Sequence, residues 1–264
     1  MSASIRISEH NGVREIRLER ASVHNAFDDR LISELTDALE SAASADPVRA
    51  LVLTGEGSTF SAGADLNWMR AMAGAGEAEN REDSLRLARL MRTLNFLPKP
   101  TIARVNGSAY GGGVGLIACC DIAIGVEGAK FSLSEAKLGL VPAVISPYVV
   151  SAIGLRQARK LFVSAEVFDA AEAHRIGLLH QVVAADQLDA TVERNLHFLR
   201  KCGPLAQAEA KQLAMRVAGV TAEGAERLDV DNAALIPRLR VSPEGQEGLA
   251  AFLDKRAPAW ARAE

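Results

Sequence analysis

The chain opens on two short alternations. Residues 4–9 and 13–18 exchange apolar for polar positions one by one, the pattern of half-buried strands, and Asn11-Gly12 between them is a hairpin turn. Asp28 or Asp29 then caps a helix whose face carries Leu31, Leu35 and Leu39, and Pro47 closes the unit. Residues 50–53 predict a buried strand followed by a glycine-containing loop. Residues 78–97 repeat apolar positions at helical spacing (Leu87, Met91, Leu94) until Pro98 and Pro100. A strand over 101–105, the Asn106-Gly107 turn, a glycine-led apolar helix within Ser108–Asp121 and a strand over 122–126 follow. Beyond residue 146 the pattern is helical over 146–154, 156–163, 169–175, 185–201, 204–218, 222–238 and 243–254, interrupted by one strand at 179–183. The reading is an α/β chain with a helical C-terminal appendix, without internal repeats or low-complexity tracts.

Composition narrows the classes. Of 264 residues, 48% are hydrophobic and the net charge is only -3, which rules out global disorder. Lys plus Arg number 30 against 33 Asp plus Glu, so no nucleic-acid partner is expected. Three cysteines, two of them adjacent in an apolar helix (Cys119, Cys120), predict buried thiols rather than disulfides. With the five histidines scattered, no metal site is expected. The N-terminus lacks the apolar core of a signal peptide, and no apolar run approaches the roughly 20 residues that span a bilayer. The expectation is a cytoplasmic protein with no membrane partner.

Three stretches carry candidate chemistry. Phe60-Ser61-Ala62-Gly63-Ala64-Asp65-Leu66 leaves a strand and enters a short helix. Free N–H groups at such a start suit a developing oxyanion, but Asp65 capping the helix explains the same residues. Gly111-Gly112-Gly113-Val114-Gly115 places four glycines where each costs about 1 kcal/mol relative to Ala in a helix. Either a ligand or a second helix approaches the bare backbone there. Gly113-x-Gly115-x-x-Ala118 also fits a loose dinucleotide fingerprint with Glu135 as the acid, although Asn106–Tyr110 separates it from its strand. Glu135 follows Phe131 and Leu133 and precedes an apolar, proline-rich stretch. Such surroundings raise a carboxyl pKa toward neutrality and suit proton transfer; a surface pair with Lys137 is the alternative.

Together, Asn25-Ala26, Phe60–Leu66, Val105-Asn-Gly-x-x-x-Gly-Gly-Gly113, Cys120-Asp-Ile-Ala-Ile124, Phe131–Pro142 and Gly248–Arg256 resemble the enoyl-CoA hydratase/isomerase (crotonase) family over nearly the whole chain. The resemblance implies a spiral of ββα units over residues 1–200 and a helical trimerisation region over 201–264. It also implies a homotrimer or dimer of trimers acting on acyl-CoA thioesters, with no cofactor beyond the coenzyme A of the substrate.

By the same resemblance, the N–H groups of Ala64 and Gly112 hold the thioester oxygen. Glu135 matches the second of the two glutamates that family hydratases use; the first falls on Gly115. Ser61–Met69, Val114–Asp121 and Pro142–Tyr148 look like bacterial 3-methylglutaconyl-CoA hydratases of leucine and isovalerate breakdown. The implied reaction is reversible hydration of a branched enoyl-CoA, with Gly115 leaving room for a bulkier acyl group or an extra water. A single-glutamate Δ3,Δ2-enoyl-CoA isomerase and a catalytically weak CoA-binding protein are the alternatives. Ala26, Ala62, Asp65 and Leu66 would shape the CoA groove and Trp68 the acyl pocket. Phe252 and Lys255 would reach a neighbour's CoA. For a carboxylated acyl tail, Arg70, Lys137 and Tyr148 are the candidate partners.

Overall fold

The computed structural model describes residues 3–261. Residues 1–2 and 262–264, the outermost ends of the two expected regions, lie outside the described residues. The opening alternation forms the expected hairpin, β1 (Ile5–His10) with β2 (Val13–Leu18), in antiparallel register Ile5↔Leu18 to His10↔Val13. Helix α1 (Asp29–Ser44) follows. The Asp28 carboxylate accepts its Leu31 N–H at 2.8 Å, and Leu31, Ile32, Leu35 and Leu39 form its buried stripe.

From here the chain lays one strand in each of two sheets per turn. Strands β3 (Ala50–Gly55), β5 (Thr101–Val105) and β7 (Ile122–Val126) join a six-stranded sheet. Each is followed directly by a short strand of a four-stranded sheet: β4 (Thr59–Ser61), β6 (Ser108–Tyr110) and β8 (Lys130–Ser132). With β9 (Phe168–Asp169) and β10 (Gln181–Val183), the orders are β1-β2-β3-β5-β7-β10 and β4-β6-β8-β9. Apart from the β1–β2 and β8–β9 pairs, all neighbours are parallel. Parallel strands covered on both faces read as continuous apolar runs, and β3 is buried at every position. This is the α/β spiral expected from the resemblance.

Helices α2 (Leu66–Gly74) and α3 (Glu77–Asn95) connect β4 to β5, and α4 (Gly112–Cys119) connects β6 to β7. Helix α5 (Ser146–Ser164) joins the two helices expected over 146–163 and breaks at Gly154 (φ 76°), where they were divided. Then come α6 (Ala170–Arg175), α7 (Leu188–Arg200) and α8 (Pro204–Val217). The helix expected over 222–238 is two, α9 (Ala222–Ala233) and α10 (Leu235–Arg240), before α11 (Pro243–Leu253). Helices α9 and α10 pack on α3, and α11 packs on α2 and on the 3-10 turn Ser134–Leu138. Three adjustments are local. The strand at 179–183 shortens because Leu179 is buried in the turn before it. Residues 185–187 form a 3-10 turn ahead of α7. Strands β6 and β9, too short to show a period, escape sequence reading.

Two predicted features of α4 take definite form. Cys119 and Cys120 are buried, free thiols, and burial pushes the Cys120 pKa up to about 12. Gly115, by contrast, opens no space. A Cβ there would meet Ile145 Cγ2 at 2.3 Å and Met91 Cε at 3.3 Å, so the glycine is a contact between α4 and the chain entering α5. The expected room for a bulkier acyl group is filled by Ile145. A Cβ on Gly113 would likewise lie 2.7 Å from the Ser61 carbonyl oxygen. These helix glycines serve packing, which removes the dinucleotide reading.

Gly115→Ala should destabilise the protein by about 1–3 kcal/mol through overpacking, measured by denaturant unfolding, and Ile145→Ala in the same chain should restore most of the loss. Asn25→Ala should cost about 2 kcal/mol or more by the same measurement. The Asn25 side chain donates to the Glu56 and Thr59 carbonyls at 2.9 and 2.7 Å and accepts from the Arg20 N–H at 3.0 Å, all from a fully buried position.

Candidate active site

The first turn of the site is clamped by the loop before α1. Ser61 Oγ donates to the Asn25 carbonyl at 2.9 Å. The Phe27 N–H donates to Gly63 O at 2.6 Å, and the Asp65 N–H donates to Phe27 O at 2.8 Å, which makes an isolated parallel bridge between Phe27 and Ala64. In a parallel bridge the bonds flank the bridged residue, so the Ala64 N–H points away from Phe27. Ala64 thus owes its free amide to this bridge, not to a helix terminus. The start of α2 is already capped, since Asp65 Oδ1 accepts from Asn67 N at 2.8 Å and Trp68 N at 3.3 Å. Asp65 also pairs with Arg20 at 3.2 Å, and Arg20 donates to Ala26 O. Buried Asp65 and Ala26 therefore hold the loop together.

The second turn brings its own free amide. Gly111 adopts φ 49°, ψ −118°, a conformation open essentially to glycine, and its N–H donates to Ser132 O at 2.9 Å. That bend starts α4 at Gly112, whose N–H, in the first turn of a helix, has no acceptor four residues back. The two turns touch. A Cβ on Gly63 would lie 2.9 Å from Tyr110 O, and a Cβ on Gly112 would lie 2.6 Å from the Phe27 ring. Among the described residues, neither the Ala64 nor the Gly112 N–H donates to another group of the chain. Both residues line one cleft.

Glu135 borders the same cleft from the 3-10 turn Ser134–Leu138. Its Oε1 would be 3.1 Å from a Cβ on Gly111, which places the carboxyl beside the α4 N-terminus. The residue as a whole is half-buried, but Oε2 is shut off from solvent and has no hydrogen-bond partner. Burial raises its pKa from the ordinary carboxylate value to about 7, opposed only in part by a backbone hydrogen bond from its own residue. Lys137 forms no ion pair with it among the described residues and is exposed.

Much of the remaining wall is apolar: Phe27, Leu87, Leu138, Leu140, Val141, Pro142, Val144 and Ile145. Of the expected acyl and CoA residues, Ala62, Trp68 and Phe252 line the cleft. Leu66 is exposed beside it and Lys255 stands outside it, exposed. Gly115 is absent from the lining, for the packing reason given above. Phe252 borders the cleft of its own chain, because α11 folds back onto α2 and the Glu135 turn. Sequence reasoning missed Asp83, Ser84, Ile236 and Arg240, which α3 and α10 bring to the same space. Buried polar residues in a segment of helical period were the available signal. Of the candidates for a carboxylated tail, Arg70 is exposed and bonded to Asn67. Tyr148 is buried on another face of the fold, away from Glu135.

Such a cleft favours negative charge at the amides and holds a protonatable group beside it. A family model described as enoyl-CoA hydratase/isomerase matches residues 8–263. The chain is similar to an enoyl-CoA hydratase structure from Shewanella pealeana, with TM-score 0.80 and 44% identity, covering 97% of this chain and 96% of that one. It is 32% identical to the 2,3-dehydroadipyl-CoA hydratase of Escherichia coli over 96% of each chain. It is 31% identical to the crotonyl-CoA hydratase of Syntrophomonas wolfei over 90% of each. Sequence match, fold and cleft converge: the chain belongs to the enoyl-CoA hydratase/isomerase family.

Proposed function

We propose that the protein is a hydratase that adds water reversibly across the C2=C3 bond of an enoyl-CoA, with 3-methylglutaconyl-CoA or a similar branched acyl group as substrate. The observation that carries this reading is the convergence of two unspent amides and one buried carboxyl of raised pKa on a single apolar cleft. The Ala64 and Gly112 amides would receive the thioester oxygen. There the enolate-like transition state carries its charge, and one such donor is worth about 3–4 kcal/mol. Glu135 as carboxylate would take a proton from water as oxygen attacks C3. The proton would then pass to Cα, which returns the carboxylate and completes the addition. The reverse steps give dehydration.

Ala62, which lines the cleft, and the exposed Leu66 would flank the CoA chain, with Ala26 and Asp65 supporting the loop behind them. Lys255 is offered as a phosphate contact. A homotrimer or dimer of trimers accords with the exposed apolar side chains Leu205, Leu213 and Val217 on α8 and Leu228 and Val230 on α9. No helix among the described residues is long and apolar enough to cross a membrane. A cytoplasmic location belongs to the same proposal.

A second reading, Δ3,Δ2-enoyl-CoA isomerase, is favoured by one observation. Glu135 stands without a second carboxyl at position 115, where Ile145 closes the space. One assay separates the two. The purified protein is offered 3-methylglutaconyl-CoA, crotonyl-CoA and a 3-enoyl-CoA while absorbance and mass are followed. Gain of one water supports the hydratase; a moved double bond at constant mass replaces it with the isomerase; binding without turnover removes both.

Glu135→Gln should lower kcat at least ~100-fold while thioester binding survives. In the unsubstituted enzyme, kcat/KM for hydration should rise with pH through a midpoint of about 7, because the free carboxylate is the base. Stability should run the other way. Between the ordinary carboxylate value of 4.5 and about 7, the folded protein keeps a proton that the unfolded chain has lost, so stability falls as pH rises across that window. Glu135→Gln should therefore melt higher than the parent at pH 8, by up to about 3 kcal/mol of stability, with the gap closing below pH 5.

A further inference from the structure

The hydratase reading leaves two charged residues of the cleft unused, Asp83, which is paired with Arg86, and Arg240. Arg240, the last residue of α10, is only 8% exposed and borders the same space as Glu135, Ala64 and Gly112. Its Nη1 donates to the side-chain oxygen of Asn80, a neutral partner. Among the described residues, no carboxylate lies within ion-pair distance of it. Asp83, whose charge it feels, is itself paired with Arg86 at 3.1 Å. Arg86 is held by both Asp83 and Glu82, at 3.1 and 3.2 Å, so within this cluster Arg240 is the guanidinium without an ion-pair partner of its own. A desolvated cation without an ion-pair partner is costly, and a matching anion removes that cost.

A second donor lies on the same cleft. The Trp68 indole N–H is shut off from solvent and has no acceptor, although its residue lines the space. Ser84, by contrast, already spends its hydroxyl on Asn80 O at 2.9 Å. A planar guanidinium fork and one N–H donor, on a wall whose other polar groups, Asp83 and Ser84, are already bonded, suit a small planar anion. A phosphate, bulkier and more highly charged, would want more than one free cation and a wetter position.

Resting on the hydratase reading, we propose that Arg240, assisted by the Trp68 indole N–H, binds a free carboxylate on the acyl chain, so that the cleft selects dicarboxylic enoyl-CoA thioesters. This replaces Arg70, Lys137 and Tyr148 as tail partners with a residue that lines the cleft. Arg240 is thereby a specificity residue, and it takes no part in moving the proton.

The test compares 3-methylglutaconyl-CoA with its terminal methyl ester, which keeps the shape and loses the charge. The unsubstituted enzyme should favour the acid at least ~30-fold in kcat/KM. Arg240→Met should bring that ratio close to one, Arg240→Lys should retain part of it, and Trp68→Phe should lower it by a few fold. Binding of unreactive glutaryl-CoA and its methyl ester, by calorimetry, gives a readout independent of turnover. It should show the same preference, at least ~10-fold. Equal use of acid and ester by the unsubstituted enzyme overturns the proposal and leaves the hydratase reading standing. No hydration of either, with glutaryl-CoA still preferred, overturns the hydratase reading and keeps the carboxylate site. Should the Arg240 variants fail to fold, the comparison within the unsubstituted enzyme decides the matter alone.

Discussion

The site depends on two turns that touch backbone to backbone. Gly63 lies against the Tyr110 carbonyl, Gly113 lies against the Ser61 carbonyl, and a side chain at either position would force the turns apart. One turn enters from β4 and the other from β6, adjacent parallel strands of the smaller sheet. The sheet sets the direction of both turns, and the glycines let them close on each other. A free amide from each then faces a common cleft because each N–H loses its acceptor for a separate reason: a parallel bridge at Ala64 and a helix start at Gly112.

Around this contact the protein accepts groups that stability alone would not select. Glu135 carries a shut-off oxygen without a partner, Trp68 an indole N–H without an acceptor, and Arg240 a buried charge with a neutral partner. Elsewhere among the described residues, Arg49 Nε and Tyr148 Oη are also buried without a partner, while other interior polar groups are well bonded. Asn25 makes three hydrogen bonds, and Asp121 receives Thr101 N, Thr101 Oγ1 and Lys211 Nζ. Glu135, Trp68 and Arg240 together on one cleft suit a site whose partners arrive with a ligand. The fold offsets the cost with an apolar core that runs from α1 through both sheets to α7.

The position of α10 and α11 gives the cleft its second wall. Helix α11 covers the turn that carries Glu135: Gly248 lies against Leu138, and Gly139 lies against the Glu244 carbonyl, each closer than a Cβ would permit. The C-terminal helices therefore close over the site of their own chain, and Arg240 and Phe252 reach the cleft from there.

Local pattern was enough to read the hairpin, the capped helix α1, the kink at Gly154, the glycine-led helix and the isolated Glu135. Each is a contest among near neighbours in sequence: alternation, a cap, a bend open to glycine, a carboxyl among apolar residues. Strands β6 and β9 of the second sheet left no such trace, because two or three residues show no period and their pairing comes only from distant partners. The meaning of Gly115 was likewise out of reach. A glycine that admits a ligand and one that admits a neighbouring side chain look identical in sequence, and only the placement of Ile145 decides between them. So too with Arg240, whose segment reads as an ordinary helix end. Its burial beside Asn80 and its place on the cleft arise when α10 folds onto α3, because long-range packing, not local propensity, determines which charges lose their water.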